Sequence, residues 1–339
     1  MSPIHRRSLL AAGLGGAALP LAGARAQSSM TAAVYPGGWD EALRAVLAPR
    51  LRELHNINVS FDPLFAVDQI TKARAARGSA AFDVFVLDPG PRVSGIDFGL
   101  FEAFDPARLP NAGQLPDGYA DRHGAAVAAQ VVGIAYNPQK VPKPAGWKDL
   151  FQAPYASRLG LTGFGTTFGT VSLIEMAKAL GGSEQNMDPL FAELRRIRPN
   201  VAAVAQPAAM AGLFQQGQID VMYTNTYTVT LLRSRGVPIE FAVPETGAVA
   251  FVTSMHIAKG SRNLPQAYAY IDTMISSQVQ GALSAQPYFF VPVNKGVAPG
   301  ADVPMRSIAD IGNFVTHDWT VINPLRNSWI QRFNREMAG

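Results

Sequence analysis

Residues 82–90 read Phe-Asp-Val-Phe-Val-Leu-Asp-Pro-Gly (FDVFVLDPG), and this stretch sets the class of the fold. The apolar residues run almost unbroken to Leu87, without the alternation of a half-exposed strand. Such a run fits a parallel strand covered on both faces. Upstream, Met30 to Tyr35 reads as a strand stopped by Pro36-Gly37-Gly38, and a helix begins near Trp39. Leu43, Leu47, Leu51 and Leu54 fall on one face of that helix, with a kink expected at Pro49. Ile57 to Phe61 alternates like a strand, and Ala66 to Arg77 reads as a helix closed by Gly78.

Downstream the alternation continues. Val131 to Tyr136, Leu159 to Leu161, Val201 to Val204, Ile219 to Tyr223, Ile239 to Val243 and Val249 to Thr253 read as strands. Gly169 to Leu180, Leu190 to Ile197, Ala208 to Gln215 and Leu264 to Ser276 read as helices, and Pro324 to Met337 as a terminal amphipathic helix rich in Arg. Strands alternating with helices predict an α/β protein with mostly parallel sheets.

The chain opens with an export signal. His5-Arg6-Arg7-Ser8-Leu9-Leu10 places two arginines before an apolar run that reaches Leu21, and Ala24-Arg25-Ala26 ends it with small residues. A basic start, a short apolar middle and an Ala-x-Ala ending describe a secretory signal. The arginine pair points to the twin-arginine route. Residues 1–26 are therefore expected to be removed, the mature chain to begin at Gln27, and the protein to work outside the cytoplasmic membrane.

Composition narrows the function. The 339 residues carry 29 basic and 25 acidic side chains. Three of the basic ones (Arg6, Arg7 and Arg25) leave with the signal, so the mature chain is close to neutral. Neither a nucleic-acid partner nor an anionic membrane surface is implied. No later apolar run approaches the roughly 20 residues of a membrane helix, so no membrane insertion is expected. The absence of cysteine removes disulfides, thiolate zinc sites and thiol catalysis. The length suggests two domains of about 100–200 residues each.

Recognisable catalytic chemistry is missing. No two of His55, His123, His256 and His317 stand at i, i+4, and there is no His-Glu-x-x-His, nucleophile elbow or phosphate loop. No cofactor and no metal site is read from the chain, and enzymatic function is unsupported. Gly163-Phe164-Gly165-Thr166-Thr167-Phe168-Gly169 is off register for a dinucleotide fingerprint. It does link a strand to a helix start, where free N–H groups and the helix dipole gather. Thr166 and Thr167 there suit helix capping and ligand contact alike.

Six segments in order then resemble a known family: FDVFVLD (82–88), VGIAYN (132–137), WKDL (147–150), GQIDV (217–221), VPETGA (243–248) and PVN (292–294). The chain resembles the periplasmic solute-binding proteins of ABC importers, in the spermidine/putrescine-binding-like group. The resemblance implies a two-lobed type II periplasmic-binding-protein fold, two mostly parallel sheets flanked by helices with a ligand cleft between the lobes. It implies a first lobe of residues 27–133 with 249–300 and a second of 134–248 with 301–339. Crossovers are expected near Gly133-Ile134 and Ala248-Val249, with Trp147 and Leu150 as packing residues. A monomeric receptor is implied, which captures a small-molecule solute and delivers it to the membrane permease.

Departures from the family bear on the solute. Polyamine-binding members carry carboxylates in the loop matching Gly163 to Thr166, and a tryptophan and an aspartate on the return strand where this chain has Phe251 and Thr253. A buried ammonium needs an acidic or strongly accepting partner, so a long polycation is disfavoured. Asp88 ends a buried strand, at the edge where open α/β sheets bind ligands, and it also reads as a turn residue before Pro89-Gly90. Glu245 is a second acidic candidate, although its position reads first as a solvated hinge residue. Tyr35, Trp39, Tyr223, Tyr227 and Phe290 are candidate aromatic walls or core residues, and Asn225 a candidate amide contact. The favoured solute is amine- or amino-acid-like, a zwitterion spanning Asp88 and the Thr166/Thr167 helix start. Alternatives are a short polyamine, ferric ion held by Tyr223 and Tyr227, and, from another class, an exported lyase or hydrolase on the same scaffold.

Overall fold

The computed structural model describes residues 28–337. The expected signal peptide and its cut before Gln27 lie outside the described residues. Strand β1 (Ser28–Val34) leads into α1 (Gly38–Ala42), a π turn (Leu43–Leu47) and α2 (Ala48–His55). β2 (Ile57–Pro63), α3 (Ala66–Ala75), β3 (Val84–Leu87), α4 (Pro89–Asp97), β4 (Ala120–Asp121), β5 (Gly124–Tyr136) and β6 (Leu159–Leu161) come after them. Next are α5 (Thr167–Ala179), α6 (Asp188–Ile197), β7 (Ala203–Val204), α7 (Pro207–Gln215), β8 (Val221–Asn225), α8 (Thr226–Ser234) and β9 (Glu240–Ala242). β10 (Val249–Ile257), α9 (Leu264–Ile275), α10 (Ser277–Ser284) and α11 (Trp319–Met337) complete the order.

The α/β class holds, with one difference in the sheet. Strand pairing is continuous in the order β2-β1-β3-β10-β5-β8-β6-β7. Its two ends are parallel, β2-β1-β3 on one side and β8-β6-β7 on the other. The centre is antiparallel, because β10 pairs with β3 and β5, and β5 with β8. Two parallel sheets are thus stitched into one by β5 and β10. At about 3.3 Å per residue, the 13 residues of β5 span roughly 43 Å, enough to serve both halves. Val132 pairs with Val249, beside the Gly133-Ile134 and Ala248-Val249 crossovers that the family resemblance implies.

The two largest hydrophobic cores flank this crossing. One gathers Val34, Leu43, Leu47, Val86, Val127, Tyr270 and Ile271. The other gathers Ile134, Trp147, Leu150, Leu161, Leu173, Phe191, Tyr223 and Trp329. Trp147 and Leu150 are therefore packing residues. Leu54, expected on the buried face with Leu43, Leu47 and Leu51, is 50% exposed. The π turn just before Pro49 adds a residue per turn and shifts the phase of the turns after it. α11 starts at Trp319 and not at Pro324, which lies inside it. Its face Trp319, Ile322, Arg326, Trp329, Phe333 and Met337 is buried, packing on both α4 and α6.

Candidate functional site

The carboxyl ends of β1, β3, β6 and β8 converge beside the β5/β10 crossing, the edge at which open α/β sheets bind ligands. Asp88 ends β3 and stands at the N-cap position of α4, yet its side chain makes no cap hydrogen bond. Its Oδ1 instead accepts from the Tyr35 hydroxyl at 3.1 Å and from Thr253 Oγ1 at 2.9 Å. The Thr167 hydroxyl adds a further hydrogen bond to the carboxylate. Burial raises the Asp88 carboxyl above the usual carboxylate range, while these hydroxyls and the Arg326 charge act against the shift. Asp88 keeps partial exposure.

The aromatic candidates divide. Trp39 stands between Tyr35 and Phe290, with ring centroids at 5.4 and 4.5 Å, and Tyr227 meets Phe290 edge-on at 6.1 Å. Tyr35, Trp39, Tyr227 and Phe290 therefore form one wall, drawn from both sides of the sheet. The gap that Trp39, Tyr227 and Phe290 enclose with Gln130 and Thr226 is only about 10 Å³. Thr226 Oγ1 is buried beside it without a hydrogen-bond partner. A Cβ on Gly38 would come within 1.9 Å of the Tyr227 hydroxyl, so the two sides meet at a glycine.

Tyr223 and Glu245 lie elsewhere. The Tyr223 hydroxyl accepts from the Thr162 backbone N–H at 2.8 Å and donates to its carbonyl, and the ring is core. It cannot supply a phenolate beside Tyr227, which removes the tyrosine pair of the ferric-ion reading. Among the described residues no group of three or more His, Cys, Asp or Glu could hold a metal. Glu245 is exposed, with its backbone N–H on Ala145 O at 2.9 Å.

The two threonines have separate duties. Thr166 is the N-cap of α5, accepting from Gly169 N at 3.1 Å, and Thr167 turns to Asp88. Thr167 therefore stands next to Asp88, which brings two of the groups expected around a zwitterion to one place. Gly163 serves close packing too, since a Cβ there would meet the Phe333 ring of α11 at 2.9 Å. Asn225 caps α8 through Thr228 N at 3.0 Å and donates to Gln130 Oε1 at 2.8 Å. Phe251 pairs opposite Gln130. It lines a second cavity, of about 250 Å³, with Pro89, Tyr119, Val171 and Trp319.

Sequence reasoning missed Arg326. The residue is 8% exposed, and its Nε donates to Phe164 O at 2.9 Å. Its guanidinium lies 5.7 Å from the Trp319 ring centroid. Burial lowers its pKa to about 10, and the nearby Asp88 charge pulls it back up. Two contacts fix its helix: Asn323 Nδ2 donates to Gly90 O at 2.8 Å, and the Trp319 ring fills the space over Gly90. The usable signal was a lone arginine in the apolar stripe of Trp319, Ile322, Trp329 and Phe333.

The description "Bacterial extracellular solute-binding protein" belongs to the family model that matches residues 82–310. The chain belongs to this family. It is 26% identical to the gamma-aminobutyric acid-binding protein of Pseudomonas aeruginosa over 66% of its own length and 65% of that protein's, just under two thirds. It is 23% identical to the spermidine/putrescine-binding periplasmic protein of Escherichia coli, covering 80% of each chain. An ABC transporter substrate-binding protein from Bradyrhizobium japonicum shares the fold at TM-score 0.74 and 21% identity, over 91% of this chain and 99% of that one. The Agrobacterium tumefaciens binding protein MotA, solved with glucopine, does so at 0.76 and 16%, over 91% and 99%.

Proposed function

We propose that the protein is an extracytoplasmic receptor that captures a small amine- or amino-acid-like solute and delivers it to the permease of an ABC importer. The observation that carries this reading is Asp88: a carboxylate held by the Tyr35, Thr253 and Thr167 hydroxyls beside an aromatic wall assembled from both halves of the sheet. A carboxylate accepts from an ammonium, and aromatic faces attract the same cation. The relatives named for γ-aminobutyrate and for polyamines support an amine-bearing solute. Thr253, at the position of a polyamine-binding aspartate, donates to Asp88, which disfavours a di- or tricationic ligand.

In this reading residues 27–133 with 249–300 form one lobe and 134–248 with 301–339 the other, and β5 and β10 carry the hinge. The small gap between the aromatic walls means that a solute enters only when the lobes part. Binding then stabilises the closed form by its differential affinity for it. The receptor works as a monomer, in the periplasm, after twin-arginine export. It returns its solute chemically unchanged.

A thermal-shift screen of amines, amino acids, carboxylates and metal ions should find a ligand that raises the melting temperature by mass action. Small-angle scattering with that ligand should show a smaller radius of gyration. An unchanged radius at saturation counts against the receptor reading. Replacing Arg6 and Arg7 by lysine should trap the precursor in the cytoplasm, and continued export would point to the general secretory route.

A further inference from the structure

We propose that Arg326 binds a carboxylate of the solute, and that the solute is a small zwitterion held between Asp88 and Arg326. The inference rests on the receptor reading and adds the second charged group of the site.

Arg326 occupies a position that its helix otherwise fills with Trp319, Ile322, Trp329 and Phe333. A guanidinium in such a stripe carries a desolvation cost that a contacting carboxylate normally offsets. Arg332, two turns on, has such partners in Asp188 at 2.6 Å and Glu336 at 2.9 Å. Among the described residues Arg326 forms no ion pair, and its one hydrogen bond is from Nε to the Phe164 carbonyl. That bond leaves the two terminal nitrogens, the fork that receives a planar carboxylate bidentately.

Asp88 and Arg326 act on each other electrostatically without touching. The anchors differ as well: Asp88 is tied to Tyr35 and Thr253, and Arg326 to Phe164 and, through its helix, to Gly90. Charge balance then selects the ligand. With one acid and one base facing the site, a simple amine leaves Arg326 unpaired, a diamine lacks a second acid, and a dicarboxylate lacks a second base. A solute with one ammonium and one carboxylate satisfies both. The 250 Å³ cavity is lined by Pro89, the residue after Asp88, and by Trp319, whose ring centroid lies 5.7 Å from the Arg326 guanidinium, and it offers room for the rest of the molecule.

Calorimetry on the full mature chain tests this with 4-aminobutyrate, α-amino acids, putrescine, butylamine and butyrate as probes. At least one amino acid should bind the wild type ten-fold or more tighter than its matching amine and acid. Arg326→Gln should weaken that amino acid at least thirty-fold while leaving butylamine and putrescine within about three-fold. Arg326→Lys, which keeps the charge and loses the fork, should fall between; it carries the test if the glutamine variant does not fold. Tightest wild-type binding to a diamine, or to a solute without a carboxylate, overturns the assignment and leaves the receptor standing. An equal loss for amino acid and amine in both variants overturns it as well, by showing that Arg326 only holds the fold. If none of these probes binds, the assignment falls, whereas the receptor reading falls only if no solute at all closes the lobes.

Discussion

Gly38→Ala should prop the cleft open. Gly38 is the first residue of α1, and the added methyl would stand 1.9 Å from the Tyr227 hydroxyl and 3.0 Å from the ring carbon bearing it, both on α8 across the cleft. Tyr227 cannot swing away freely, because its ring packs edge-on against Phe290, which in turn lies on Trp39. Overpacking of this kind costs about 1–3 kcal/mol. The cost falls only on the closed form, since in the open form the two residues separate. Solute affinity should therefore drop by about 5- to 150-fold. Stability without solute should hold or rise by up to ~1 kcal/mol, because alanine is a better helix residue than glycine. Calorimetry and thermal melts on the same variant read the two effects separately. Adding Tyr227→Phe removes the clashing oxygen and should restore most of the affinity. Wild-type affinity in Gly38→Ala refutes the reasoning, and so does a melting temperature several degrees lower without ligand, which would mean that the contact persists and the cleft does not open.

Asp88→Asn should weaken an amine-bearing solute by about 2–5 kcal/mol, roughly thirty-fold or more, whereas Glu245→Gln should change little; calorimetry showing no loss for Asp88→Asn sinks the ammonium assignment. Thr166→Ala removes the α5 cap and should lower unfolding stability by about 1 kcal/mol with solute affinity unchanged, as urea titrations would show. His256 is fully buried, and burial lowers its pKa to about 3, below the unfolded value near 6.5. The native state thus favours the neutral ring. Its stability contribution is present above pH 6.5 and is lost as pH falls towards about 3, by at most ~5 kcal/mol. His256→Gln should flatten the stability–pH slope in that window, and an unchanged slope would assign the acid sensitivity to other groups.

Much of the fold was legible because apolar runs such as Val84–Leu87 admit few alternatives once buried on both faces. The failures have local causes. The first half of β5 reads Gly-Ala-Ala-Val-Ala-Ala-Gln, and alanine has little strand preference, so pairing with β10 and β4 makes it a strand. α4 begins Pro-Gly-Pro, which reads as a turn, although proline is tolerated in a first helical turn where N–H groups lack partners anyway. At the site, aromatic residues after strand ends were visible, but which of them share a wall depends on the β5/β10 crossing. Tyr223 and Tyr227 are one turn apart in sequence, and only Tyr227 leaves the core. That Arg326 lies within electrostatic reach of Asp88 could not be read from spacing alone.

The residues of the site are sewn together over long stretches of chain: Thr253 reaches Asp88 across 165 positions, Arg326 reaches Phe164 across 162, and Asn323 reaches Gly90 across 233. Such non-local closure makes folding slow, because loop entropy must be overcome before these contacts form. A chain emerging from the ribosome has most of its sheet long before it has α11, so a nascent or truncated receptor carries Asp88 and the aromatic wall without the helix that completes the site. If Arg326 takes the solute's carboxylate as proposed, the ammonium side of the site forms first, and discrimination for a carboxylate-bearing solute arrives only when the last helix docks.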